Sequence, residues 1–201
     1  MAGSTDRGRR RRTVLVDAAV ALLDESGPEA VTARAVAERA GVPLGSVTYY
    51  FEDVQALRRE ATRVLGERHL DVARSVAGRA GPGQDAAVVA GVLAAAVLGP
   101  AADGGPDAVR ALYARVLDTS GRAPLTDPLR RWDAAVADVV ADVLRAAGRR
   151  PEHAPAVLAC ADGAALAALL AGHPDPVTAV SDRLAGVLDL LAPPRRAGER
   201  E

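Results

Sequence analysis

Residues 31–57 read VTARAVAERAGVPLGSVTYYFEDVQAL, and their pattern decides the fold of the N-terminal part of the chain. Thr32 is a good N-cap for a short helix whose Val36, Ala37 and Ala40 face inward. Gly41 ends that helix, because glycine tolerates the left-handed conformation that other residues resist. Pro43 suits the first turn of a following helix. Val47 and Phe51, four residues apart, form the buried face of that helix. Leu44, Gly45, Ser46, Thr48, Tyr49 and Tyr50 are left outward. Asp53 then caps a long helix.

Upstream, Val14, Leu15, Ala18, Ala19, Leu22 and Leu23 recur at helical spacing, with Thr13 as the expected cap and Gly27-Pro28 as the stop. Residues 1–12 carry Arg7, Arg9, Arg10, Arg11 and Arg12 against one acid, Asp6, and read as a disordered basic arm. Downstream, Gly78 to Gln84 is a loop, and helices are expected over 85–98, 107–118, 127–147, 152–171 and 176–191. The tail, 193–201, is polar and expected to be flexible. The domains expected are therefore an arm at 1–12, a three-helix unit at 13–55, a helical unit at 56–192 and the tail.

Composition agrees with an all-α fold. Hydrophobic residues make up 49% of the 201 residues but aromatics only 2%, so Ala, Val and Leu must build the core. The chain has no lysine, which excludes Walker A, Schiff-base and kinase-type lysine chemistry. Its formal net charge of −1 means that the basic arm is local, which suits contact with phosphate at one end. Cys160 is the single cysteine, so no intramolecular disulfide or cysteine metal cluster is available; it sits in an apolar run and reads as a small core residue. His69, His153 and His173 lack metal-ligand spacing, and no metal or cofactor is expected. No signal-peptide pattern opens the chain. The uncharged stretch Ala86 to Ala102 reads as a buried helix and not as a membrane span. The expected setting is the cytoplasm.

The second helix of the opening segment has the character of a DNA reader. A major groove admits one α-helix, and the base edges there carry a distinct donor and acceptor code. Gly45, Ser46 and Thr48 are short enough to let a helix approach; Tyr49 and Tyr50 offer rings to sugar and hydroxyls to phosphate. Thr32 and Arg34 lie where the preceding helix would meet the backbone, and the arginine arm would add phosphate or minor-groove contacts.

Residues 13–60 resemble the DNA-binding segment of the TetR family of transcriptional regulators. The resemblance rests on Thr32, Ala40-Gly41-Val42, Gly45-Ser46, Tyr49-Tyr50 and Phe51. It implies phosphate contacts at Thr32 and Tyr50, and base or backbone contacts at Arg34, Leu44, Ser46, Thr48 and Tyr49. Three positions depart from the family pattern: Pro43 replaces a usual Ser, Thr48 stands where many members carry an aromatic, and Val54 takes the place of a common Lys. Further along, the resemblance is one of architecture and length. It implies a C-terminal domain that encloses a small-molecule effector, and a homodimer through the last two helices, 152–171 and 176–191.

Within those helices Val177, Val180, Leu184, Val187, Leu188 and Leu191 form one stripe, and Gly163, Ala167 and Ala171 are small residues four apart. Candidate pocket residues are His69, Tyr113, Leu117, Trp132 and Cys160, with Arg110, Arg115 and Asp118 as further polar members. The scarcity of aromatics points to an apolar effector. The expected function is an effector-released repressor on a near-palindromic double-stranded operator, with recognition helices about 34 Å apart. Two other readings compete: a helical enzyme, and an interaction module whose helix pair no longer reads DNA.

Overall fold

The computed structural model describes residues 2–123 and 125–191, with side chains from residue 6 onward. Among these residues there are nine α-helices and no strand. They are α1 (Ala2–Ser26), α2 (Ala33–Arg39), α3 (Leu44–Tyr50), α4 (Val54–Ala77), α5 (Ala86–Leu98), α6 (Gly105–Thr119), α7 (Thr126–Ala146), α8 (Ala154–Leu170) and α9 (Pro176–Leu190). Single 3-10 turns precede α2, α6 and α8.

Local signals in the sequence place most of these boundaries. Asp53 accepts the Ala56 N–H at 2.6 Å, Asp85 the Val88 N–H at 2.8 Å, and Asp175 the Thr178 N–H at 3.1 Å. Each satisfies one of the N–H groups that a helix start leaves without an intrahelical partner. At the far end of α7, Gly148 takes a φ of 70° and lets Arg149 N–H reach back to Leu144 O at 2.8 Å.

Two expectations fail at the N-terminus. The arm is not disordered: α1 begins at Ala2 and takes in all five arginines. Thr13 is no cap, because it lies inside α1 and donates its hydroxyl to Arg9 O at 3.1 Å. Arginine is a good helix former, and the apolar stripe that starts at Leu15 anchors a helix able to propagate backwards. Pro43 also sits one position earlier than expected, as the N-cap of α3. The expected tail, 193–201, lies outside the described residues.

The chain divides into two compact units. One comprises residues 1–69 and 111–133, the other 70–110 and 134–201. The division therefore differs from a single boundary at residue 56: the C-terminal half of α6 and the start of α7 belong with the N-terminal helices.

In the first unit Leu15, Ala19, Val31, Val36, Leu57 and Ala61 are fully enclosed, with Leu23, Val47 and Phe51 nearly so. Burying such aliphatic side chains contributes about 1.5–3 kcal/mol each. Arg39 grips Glu25 with two hydrogen bonds of 2.5 and 2.6 Å, tying the end of α2 to the end of α1.

In the second unit α5 packs along α9, and α9 along α8. Eight of the residues of α5 are buried, from Val89 to Leu98, which is why that helix is apolar all round. Gly91 leaves room for Ser181 of α9. Two stretches, Ala86–Asp103 and Pro151–Leu170, are long and apolar enough to cross a membrane by composition. The first is mostly buried, as a core helix is.

The expected dimer stripe on α9 needs correction. Val180, Leu184 and Leu188 are buried within the chain, because this face packs on α5 and α8. A helical period shows that a face is apolar without showing whether the same chain or another covers it. Cys160 is likewise not a core residue: it is exposed on α8.

Candidate nucleic-acid interface

The helix pair α2–α3 is set by a tight turn. Gly41 adopts a φ of 63°, Val42 N–H bonds Ala37 O at 3.0 Å, and Gly41 N–H bonds Glu38 O at 3.2 Å. This double closure satisfies the last carbonyls of α2 and turns the chain directly into α3. Thr32 accepts the Ala35 N–H at 3.1 Å through its hydroxyl oxygen. Its hydroxyl proton stays available, and the residue is exposed, as is Arg34 in the next turn.

Helix α3 is held from one side only. Val47 is 2% exposed and Phe51 6%, both in the core of the first unit. The opposite face is open: Leu44 is 52% exposed and Tyr49 81%, and Gly45 and Thr48 are exposed too. Ser46 is half-buried. Thr48 donates its hydroxyl to Gly45 O at 3.2 Å. Gly45 faces empty space, so a side chain there would meet nothing within 4 Å. The two tyrosines diverge. Tyr49 points out, and Tyr50 is half-buried against the core with its ring at 86° to that of Tyr49 and centroids 4.9 Å apart.

The extended α1 flanks this helix. Arg7 and Arg11 share one open groove with Pro43, Gly45, Ser46, Tyr49 and Tyr50. Arg12 is committed elsewhere: its guanidinium lies 5.1 Å from the Phe51 ring centroid and donates to Glu60 at 3.0 Å. Nothing in the local sequence ties Glu60 to α1, because Arg12 lies 48 residues away.

Glu60 also accepts two hydrogen bonds from Arg63, at 3.0 and 3.1 Å. The Arg63 hydrogen bonds hold its carboxyl below the ordinary glutamate value; burial opposes them and Arg12 adds to them. A carboxylate depressed in the folded state stabilises fully above its unfolded pKa, and that stability is lost as pH falls through the folded value. Acid unfolding of Glu60→Gln is therefore expected to be less steep than that of the parent below about pH 4.3, the ordinary glutamate value. Denaturant titrations across pH measure this; parallel profiles would show that the pairing adds nothing to stability.

The expected pocket residues are only partly gathered. In the first unit His69 of α4 is 6% exposed and meets the Trp132 ring edge-on, with centroids 5.1 Å apart. Trp132 lies over Gly66, where a Cβ would come within 3.2 Å of its ring. Tyr113 is half-buried on α6. Leu117, also on α6, is 64% exposed and so is not enclosed. Cys160 belongs to the other unit and to an exposed face. Arg115 and Asp118 are engaged in ion pairs with Asp24 and Arg122, and Arg110 with Asp107. Among the described residues no group of three or more His, Cys, Asp or Glu is placed to hold a metal ion.

A capped helix, a glycine turn and a second helix with an open polar face define a helix-turn-helix protein. The family model for bacterial regulatory proteins of the tetR family matches residues 15–61. The model for the tetracyclin repressor-like C-terminal domain matches residues 84–190, more than half of the chain. The chain belongs to the TetR family of transcriptional regulators, which are non-enzymatic DNA-binding proteins.

The HTH-type transcriptional repressor KstR of Rhodococcus jostii (strain RHA1) is 42% identical over 66 residues, 30% of this chain and 31% of KstR. The match thus spans about a third of that relative. The multidrug binding protein EbrR, solved with imidazole, is similar at a TM-score of 0.67 and 29% identity, covering 91% of this chain and 95% of EbrR. A TetR-family member from Streptomyces coelicolor A3 gives 0.60 and 28%, covering 91% and 98%. EbrR has also been solved with ethidium, proflavin and malachite green.

Proposed function

We propose that this protein is a cytoplasmic repressor that binds a near-palindromic operator as a homodimer and leaves it when a small molecule occupies its C-terminal domain. The observation that carries the reading is the face of α3 that the fold does not use. Leu44, Gly45, Thr48 and Tyr49 stand open on a helix whose other side is locked into the core by Val47 and Phe51. Thr32, Arg34, Ser46 and the Tyr50 hydroxyl are the companion contacts, chiefly to phosphate. The KstR match lies with a repressor and supports that direction of control.

For the dimer, the support is the outer face of α8. Ala159, Cys160, Gly163 and Leu166 are exposed, and Leu170 is 90% exposed. On α9 Leu190 is 85% exposed beside an open Gly186. Small residues let helix backbones approach closely, and the protruding leucines supply apolar area to bury. For the effector, the His69–Trp132 pair and the half-buried Tyr113 of α6 offer aromatic and polar groups. The EbrR complexes support a small organic molecule as the ligand class.

Selection of duplexes from a random pool by the purified protein, followed by titration across salt, tests the reading. The expected result is saturable binding of two chains per selected duplex, outcompeting random DNA and weakening with salt. Equal and weak binding to every duplex would sink it.

A further inference from the structure

The second and third turns of α1 carry an electrostatic cost, because like charges four residues apart on a helix repel. Arg7 and Arg11 are such a pair, with Arg10 between them. Among the described residues, carboxylates compensate two of the five N-terminal arginines. Arg9 pairs with Asp6 at 2.6 Å, and Arg12 with Glu60 and the Phe51 ring. Among the described residues Arg7, Arg10 and Arg11 have no carboxylate partner, and all three are exposed. Their positions fall on one helix face, together with the exposed Val14. A local cost without a compensating partner inside the fold marks a functional surface.

We propose that Arg7 and Arg11 form a phosphate clamp that grips the DNA backbone beside α3. The proposal rests on the reading of α3 as the base-reading helix, because the two arginines share their groove with Gly45, Ser46 and Tyr49 of that helix. The helical state of the segment selects the chemistry. A helix with side chains is about 10–12 Å across, whereas the minor groove is about 6 Å wide. A helical extension therefore cannot thread the minor groove as an extended arm would. It lies along a backbone strand, where guanidinium forks fit phosphate oxygens. The phosphates also remove the repulsion between Arg7 and Arg11.

The test compares the full-length parent with the Arg7→Ala/Arg11→Ala double variant. Both are titrated across salt on a duplex selected by the parent and on an unrelated duplex. The slope of log affinity against log salt is expected to become shallower by about 0.9 per lost contact, close to two units per chain. The loss at low salt is expected to be the same factor on both duplexes, because phosphates carry no sequence. Thermal unfolding is expected to be unchanged or slightly raised, since neither side chain has a carboxylate partner among the described residues and the repulsion between them is removed. Arg9→Ala, whose arginine is already paired, is expected to move the slope less.

An unchanged slope in the double variant, with the parent binding its duplex, would overturn the clamp alone. A loss confined to the selected duplex and following its flanking A/T content would overturn it in favour of minor-groove readout. A parent that selects no duplex would remove the reading of α3, and the clamp with it.

Discussion

Replacing Gly45 with glutamate is expected to weaken operator binding by about 30- to 100-fold while leaving the fold as stable as the parent or slightly more so. Gly45 lies in the first turn of α3 and faces open space, so a Cβ there meets no protein atom within 4 Å. Glycine is a poor helix residue, and an acid in the first turn complements the helix dipole, so both local terms favour the variant. On DNA the same side chain would stand where a backbone must come close, and its charge would face phosphate. Like-charge juxtaposition in an interface costs on the order of 2–3 kcal/mol, which is the stated factor. Duplex titration beside thermal unfolding measures both quantities. Unimpaired binding would move the interface off this face of α3; lowered stability would mean that Gly45 serves the fold.

The largest effect on stability is expected from Phe51→Ala, about 3–5 kcal/mol of destabilisation of the first unit. Phe51 follows α3, is 6% exposed, and is the single phenylalanine of the chain. It lies in the same core as Val47, with the Arg12 guanidinium over its ring, so its loss leaves a cavity and removes the support of a cation. Denaturant unfolding followed by circular dichroism reads the change, and DNA binding is expected to fail as α3 loses its anchor. Phe51→Leu is expected to keep part of both. If Phe51→Ala unfolds within about 1 kcal/mol of the parent, the aliphatic neighbours must collapse into the space.

The helix pair was the most legible part of the fold because its signals are local. Thr32, Gly41 and Asp53 each act within three to five residues, and the Val47–Phe51 spacing sets which side of α3 is buried. Where partners are distant, reading from sequence failed. An arginine run has no apolar period, so nothing local reveals that it continues α1; the ion pair from Arg12 to Glu60 that supports this extension crosses 48 residues. On α9 the period alone does not separate packing against α5 and α8, which takes Val180, Leu184 and Leu188, from packing between chains. Helix α8 carries one charged residue, Asp162, among small and apolar ones, so its sequence gives little phase and does not show that Cys160 faces outward. The candidate pocket shares this difficulty: the contact between His69 and Trp132 joins α4 to α7, and only folding brings them together.

Trp132 is the sole tryptophan of the chain, and its ring is stacked over Gly66 and touched edge-on by His69. The indole emission of the protein therefore has one origin, at one junction between α4 and α7. Its wavelength follows the polarity around that ring. A core so poor in aromatic residues thus furnishes a built-in optical reporter, and small molecules can be screened against the unlabelled protein by watching a single fluorophore.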